Sequence, residues 1–374
     1  MAKRNWSKNK ERLDVYQAVT DKIIAHLGEA KANGKKGIAM PWTRAGQPVN
    51  AATGKPYTRI NRLILMLAMG QFGEASHDPR FCTFKQAKER GWHVKEGARG
   101  VRLAFYKPYL KSKAETQSAN DDGDAMDQAE RQLNKDNVVY LLRPFTVFHA
   151  SQIEGIPAHP ATERKWEDAV EDADRIVRGL ESQGMTFAVG GNKAGYSSER
   201  DHMQMPPAAA FEEKAAYYAV LLHEAGHATG HEKRLARPFG KAHGDEEYAK
   251  EELVAEIASA MSCSMIGIDY GVGHHAEYID EWLEILSNDK RFIFQAALEA
   301  QKATDYLLRL APRPEYQLGE ETVVDEVFDL ASMEVAPEDE VFDLNDIVAE
   351  ALEPASLDQA EERLAARSSP RMRA

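Results

Sequence analysis

The segment Leu221-Leu222-His223-Glu224-Ala225-Gly226-His227-Ala228-Thr229-Gly230-His231 combines residue types and spacings that specify a chemistry. Two histidines four apart on a helix project from one face, so both imidazoles reach one metal ion, while the Glu beside the first points at a water on that ion. A catalytic Zn2+ takes three protein ligands and leaves a further position open, so a third ligand must come from elsewhere. Glu251-Glu252-Leu253-Val254-Ala255-Glu256 follows on the next helix, where Glu252 and Glu256 share a face and Leu253, Ile257 and Met261 supply an apolar stripe. The preferred assignment makes Glu252 the ligand and Glu256 the acid that steadies a ligand histidine, with the reverse as the alternative. Glu251 reads as a solvated helix face. In the longer zincin motif the third His stands at position 233, which is Lys here, so His231 reads as a supporting or turn residue. His274 and His275 read as helix-capping or surface residues. With the ligands complete, Glu224 is the general base for water attack on a carbonyl and returns the proton to the leaving amine. Against this stands a plain helix with two satisfied core histidines.

Three helical blocks must position these groups: Ala208 to Thr229, Glu246 to Ile266 and Ala276 to Leu310. Upstream of them a Gly-rich β segment, Phe187 to Pro207, reads as a hairpin or edge strand along which a peptide lies. A charged amphipathic helix, capped at Thr162 or a neighbour, runs before it to about Ser182. Nearer the N-terminus, Leu13, Tyr16, Val19, Ile23 and Leu27 recur at steps of three and four, an amphipathic helix over 11–30. An apolar helix follows from about Ile60 to Met69, then a short helix from Phe84 to Arg90. Strand signals lie at Val101 to Tyr106, and a further strand pair fits Val138 to Leu142 and Phe145 to His149. The polar stretch 111–137 reads as a mobile hairpin connection whose flanking strands pair.

The chain of 374 residues has a net charge of −13, and that total hides a separation. Residues 1–113 carry 23 Lys/Arg against 8 Asp/Glu, and residues 114–374 carry 24 against 52. The basic end suits a polyanion. It interleaves its cations with Trp42, Tyr57, Phe81, Phe84, Trp92, Phe105 and Tyr106, the combination that binds single-stranded nucleic acid, although these rings also suit a core. Residues 315–353 hold 14 acidic residues and no Lys or Arg, and the repeats 326–330 and 340–344, both Glu-Val-Phe-Asp-Leu, read as docking motifs or as a small duplication. Cys82 and Cys263 form no disulfide framework, and no stretch is apolar enough for a signal peptide or a membrane span, so a soluble, cytoplasmic protein is expected. The fold class is α+β: a small mixed domain over 1–155 with the mobile insert 111–137, a mostly helical domain with a small sheet over 156–312, and a disordered acidic tail over 313–374.

Several short motifs occur in one order: Pro41-Trp42, Asn50 to Tyr57, Ile60-Asn61, Asp78 to Arg80, Thr83 to Ala87, Gly91, Val94-Lys95, Gly97 and Pro144 to His149. After them come Gln204 to Pro207, His223 to His231, Arg234-Leu235, Glu251 to Glu256, Trp282 and Asp289 to Arg291. Together, over about residues 10–310, they resemble ArdC-type antirestriction proteins, which join an N-terminal single-stranded-DNA-binding domain to a C-terminal zincin-like metallopeptidase domain. The resemblance implies a plasmid or phage protein that shields incoming DNA from host restriction and acts on an unnamed protein or peptide substrate. It carries the metal role to His223, His227 and an acid of the following helix, and the catalytic role to Glu224. Its motif residues Trp42, Asn61, Lys85, Gln86 and Lys95 are the DNA-contact candidates. The alternative is a non-catalytic, DNA-coating protein whose metal site is structural or vestigial.

Overall fold

The first apolar stripe closes into helix α1 over Val15–Ala32, with Val19, Ile23 and Leu27 buried and Tyr16 edge-on to Phe294. A computed structural model describes residues 14–32, 46–110, 138–159, 165–240, 245–268, 278–314 and 316. Trp42, Thr162, His274, His275, the 111–137 insert and the tail repeats lie outside the described residues.

Strand β1 (Val49–Asn50) leads into α2 (Arg59–Met69), a 3-10 segment over Gly70–His77, β2 (Arg80–Cys82) and α3 (Phe84–Glu89). Helix α3 starts in a reciprocal cap: the Thr83 hydroxyl accepts from the Gln86 N–H, and the Gln86 side chain accepts from the Thr83 N–H. Then follow β3 (His93–Val94), β4 (Val101–Leu110), β5 (Val138–His149) and β6 (Ile153–Glu154). The main sheet has the order β1-β2-β5-β4, with β1 and β2 parallel and the other pairs antiparallel, while β3 and β6 form a separate ribbon.

The strands flanking the insert do pair, in register from Val101↔Val147 to Leu110↔Val138. The expected break between Val138–Leu142 and Phe145–His149 does not occur; β5 runs straight through Pro144. The reason lies opposite it, where the Ala104 N–H and C=O both turn away from β5 to the side-chain amide of Asn61, at 2.9 and 2.6 Å. Ala104↔Pro144 is therefore a non-hydrogen-bonded pair, in which a residue without an N–H costs the ladder nothing.

The second half begins with α4 (Trp166–Ser182), followed by β7 (Thr186–Val189), β8 (Gly195–Ser197) and β9 (His202–Met205). The Gly-rich segment is thus a three-stranded sheet, β7-β9-β8, with β8 on an edge. Helices α5 (Lys214–Thr229), α6 (Glu246–Ile266), α7 (Ile279–Asn288) and α8 (Phe292–Leu310) complete it. The block expected as one helix to Leu310 is two. Asp289 leaves helical geometry and its carboxylate accepts the Arg291 N–H, while Thr20 of α1 takes up the Lys290 carbonyl in the break.

Helix α6 is buried on every side from Glu251 to Ile266, as a central core helix must be. The apolar core runs unbroken from α1 and α2 through α4, α5, α6 and α8. A buried polar tie crosses it: Arg62 of α2, itself buried, donates to the Gln301 side chain of α8 and the Met261 carbonyl of α6. Among the described residues no helix is long and apolar enough to cross a membrane.

Candidate metal centre

Helices α5 and α6 approach closely because Gly226 faces Ala255. A Cβ on Gly226 would stand 3.4 Å from both the Cα and the carbonyl oxygen of Ala255. That proximity puts the polar face of α5 against the acids of α6. His223, Glu224, His227, Glu251, Glu252 and Glu256 are all buried, so each polar atom must find a partner within the site.

The two imidazoles turn their Nε2 atoms toward each other, 3.1 Å apart. Glu252 closes the triangle, with Oε2 at 3.3 Å from His223 Nε2 and Oε1 at 3.6 Å from His227 Nε2. The opposite nitrogens are backed by acids: His223 Nδ1 lies 3.5 Å from Glu256 Oε2, and His227 Nδ1 lies 3.2 Å from Glu251 Oε1. An ion bound tetrahedrally at about 2.0–2.1 Å would hold its ligand atoms about 3.3 Å apart, close to all three edges of the triangle. Glu252 Oε2 is buried, and its 3.3 Å contact with His223 Nε2 is not aligned as a full hydrogen bond. The donor set therefore fits one divalent cation, and among the described residues His223, His227 and Glu252 are the group whose ligand atoms converge.

The electrostatics agree. Burial disfavours a charged imidazole, yet hydrogen bonds to Glu252 and Glu256 push His223 up to about 9. For His227 burial is likewise overcome, by the Glu252 charge and the contacts with Glu251 and Glu252, and its pKa is pushed up to about 10. Burial would raise Glu252, but the charge of His227 and the hydrogen bond with His223 hold it far below the carboxylate range. The acids thus draw positive charge to the space between the rings, which protons or a cation can supply.

Glu224 lies beside this triangle, and burial raises its pKa. The Tyr196 backbone on the edge strand β8 lies near its carboxylate and opposes that rise. The β8–β9 hairpin is pinned to the end of α5 by an ion pair between Asp201 and Arg234, with the Tyr196 hydroxyl donating to Asp201 at 2.7 Å. His231 faces away from His223 and His227: its Nδ1 accepts the Lys233 N–H at 3.2 Å and lies 3.9 Å from Asp201.

Glu251 corrects the sequence reading. It is buried rather than solvated, takes His227 Nδ1 on one oxygen, and receives Arg237 on both. The signal was present, because 253–266 is apolar or small apart from Glu256, so this part of the helix is buried on every face and Glu251 at its edge is buried with it. Arg237 carries no comparable signal, since a loop after Gly230 brings it in.

The DNA-contact candidates lie apart from the metal centre. Lys85 is exposed on α3, next to the exposed Phe84 and 3.8 Å from Glu89. The exposed Lys95 donates to the Ser151 carbonyl at 2.9 Å. Asn61 and Gln86 use their amides inside the fold, on Ala104 and on Thr83 and Asn50.

Comparison with known proteins finds a match in each half of the chain. Residues 13–148 match the N-terminal domain of anti-restriction factor ArdC, and residues 171–299 match a zincin-like metallopeptidase domain. An uncharacterized protein of Sinorhizobium fredii, y4eC, is 36% identical over 304 residues, covering 79% of this chain and 91% of that one. Two Escherichia coli proteins named DNA primase TraC are 35% and 34% identical over 78% and 82% of the chain, which spans only 20% and 28% of their lengths. Two crystal structures of the antirestriction ArdC protein from plasmid R388 are similar at 31% identity. The metal-free one has a TM-score of 0.62 over 80% of this chain and 98% of that one. The Mn(II)-bound one has a TM-score of 0.60 over 82% of this chain and 100% of that one.

Proposed function

The chain belongs to the ArdC antirestriction family, with its zincin-like domain, and from that premise we propose that it is a single-stranded-DNA-binding protein carrying a metal-dependent peptidase centre. The observation that carries the peptidase reading is the pair of Nε2 atoms 3.1 Å apart, closed by Glu252, with Glu224 buried alongside. His223, His227 and Glu252 hold the ion; two imidazoles and one carboxylate are the donor set of a catalytic zinc. A divalent ion there supplies Lewis acidity, lowering the pKa of a water and polarising a carbonyl.

The remaining steps belong to the chain's own side chains. Glu256 and Glu251 fix the two rings through Nδ1. Glu224 takes a proton from the attacking water, and its burial helps it hold that proton until the leaving amine accepts it. The Tyr196 backbone favours the charged form of the Glu224 carboxylate. The open side of β8 is the edge along which a peptide adds as a further strand.

The basic module supports the nucleic-acid reading through charge and exposed rings. Lys85 and Lys95 offer phosphate contacts, and Phe84 and Phe105, both exposed, offer stacking surfaces. Its role is protection of mobile DNA from restriction in a bacterial cytoplasm.

The depth of the metal centre favours one other reading, a structural ion in a protein that protects DNA by coating it. Glu224→Gln separates the two, because it removes the proton carrier and leaves the three ligands. Peptidase action predicts that this variant binds metal and DNA as the parent does, loses protection of incoming DNA, and retains a substrate in a pull-down. Full protection by metal-loaded Glu224→Gln protein rules out proteolysis as the means of protection.

A further inference from the structure

Arg237 is buried, and a buried guanidinium is stable only if its donors are met. Here four contacts meet them. Nε donates to Glu251 Oε2 at 2.9 Å and Nη2 to Glu251 Oε1 at 2.7 Å, the two-pronged geometry that an arginine fork makes with a carboxylate. Nη2 also reaches the Gly226 carbonyl at 2.9 Å, and Nη1 the Thr229 hydroxyl at 2.8 Å, both on the last turn of α5. The guanidinium thus bridges the end of the helix that carries His223 and His227 to the acid that takes His227 Nδ1.

The backbone is bent to deliver it. The Leu235 N–H returns to the Thr229 carbonyl and the Arg237 N–H to the Gly230 carbonyl, both at 2.9 Å. Ala236 takes a left-handed φ of 50°, a conformation that a residue with a Cβ rarely adopts. A Cβ on Gly230 would stand 2.9 Å from Arg237 Nη2 and from Phe239 Cζ, so only glycine admits the guanidinium at this distance. Strain and a small residue are both arranged around one side chain that touches no candidate ligand directly.

We propose that Arg237 is a positioning residue of the metal centre: its fork fixes the Glu251 carboxylate, which fixes the His227 ring with Nε2 turned toward His223 and Glu252. Lysine cannot substitute, because a single ammonium point charge does not set the plane of a carboxylate. The inference rests on His223, His227 and Glu252 being the ligand set, and the test keeps the two apart.

The test is competition of Zn2+ between a chromogenic chelator and the full chain, at fixed pH, for the parent, Arg237→Lys, Glu251→Gln, the double variant and Thr229→Val. Loss of an outer partner of a ligand histidine typically weakens metal binding about 10–100-fold, and that is expected of Arg237→Lys and of Glu251→Gln. The double variant is expected to bind no more weakly than Glu251→Gln alone, because Arg237 acts through that acid. Thr229→Val removes a buried hydrogen bond to the same guanidinium but leaves the fork, and should stay within about threefold of the parent. A parent that binds no ion refutes the ligand set. A parent that binds, with Arg237→Lys equal to it, overturns the positioning role, as do effects that multiply in the double variant or a Thr229→Val loss as large as that of Arg237→Lys. If Arg237→Lys lacks the parent's circular dichroism spectrum, Glu251→Gln carries the test, and parent-like affinity there overturns the proposal.

Discussion

Replacing Arg62 by Met tests how the basic module is held to the helix that carries the acids. Arg62 belongs to α2, and it donates to acceptors on other helices: Gln301 Oε1 on α8 at 3.2 Å and the Met261 carbonyl on α6 at 3.3 Å. The guanidinium is fully buried, and burial lowers its pKa to about 10, with the Asp305 charge opposing that shift. Two hydrogen bonds from a charged donor contribute about 1.5–3 kcal/mol each, against which stands the cost of keeping the cation out of water. Removing one member of a buried charged cluster typically costs about 3–5 kcal/mol, because the other charge stays behind. Arg62→Met fills similar space and should destabilise by that amount, because Asp305, itself buried and hydrogen-bonded to the Gln301 amide at 2.8 Å, loses a cation whose charge it faces. Arg62→Met with Asp305→Asn should recover part of the loss. Urea unfolding followed by circular dichroism reads both, and the tie also predicts that the single variant unfolds less cooperatively. A loss below about 1 kcal/mol for Arg62→Met, or no recovery in the double variant, refutes the reasoning.

Valine at Gly226 must displace Ala255, since even the first side-chain carbon stands at 3.4 Å; a loss of about 1–3 kcal/mol with weakened metal binding is expected, and an unchanged unfolding midpoint places the helix spacing elsewhere. Burial would raise the Asp78 pKa, but Arg80 Nε and Nη2, at 2.8 and 2.7 Å, and the Arg80 N–H hold it below 3.8. A depressed carboxylate gives stability above its unfolded pKa and loses it as pH falls through the folded value. The margin of the parent over Asp78→Asn should therefore be constant at about pH 5–7 and vanish in acid; a margin that grows on acidification contradicts this sign. The full chain should bind single-stranded oligonucleotide much more weakly at about 200 than at 50 mM salt, with Lys85→Glu plus Lys95→Glu reducing the slope, and salt-independent affinity removes the electrostatic reading.

Much of the metal centre was legible because its chemistry is carried by spacing. His223 and His227 sit one helical turn apart on α5, and Glu252 and Glu256 likewise on α6, so the faces follow from 3.6 residues per turn. What the spacing cannot supply is which loop folds back over the pair. Arg237 arrives through a left-handed Ala236 and a glycine, neither of which announces itself in sequence. A charge such as that of Glu251 suggests exposure, but the apolar and small residues that follow it on α6 require burial. Pro144 separates two strand signals in the sequence, and the outward turn of Ala104 toward Asn61 that lets β5 run through it depends on a partner 43 positions away. The break at Asp289 is local turn chemistry, but the Thr20 contact that complements it is long-range. The union of α1 and α2 with α7 and α8 likewise depends on tertiary packing, and a charged Arg62 beside the apolar run Leu63 to Met69 is its trace in sequence.

The central claim is that His223, His227 and Glu252 together hold one divalent ion, and calorimetric titration of the metal-stripped full chain with Zn2+ tests it most directly. The account predicts one equivalent bound by the parent and by Glu224→Gln, with binding abolished in His223→Asn and Glu252→Gln and only weakened in Glu256→Gln. A Glu252→Gln protein that binds as tightly as the parent while Glu256→Gln does not would contradict the ligand assignment, and a folded parent that takes up no ion would contradict the centre itself.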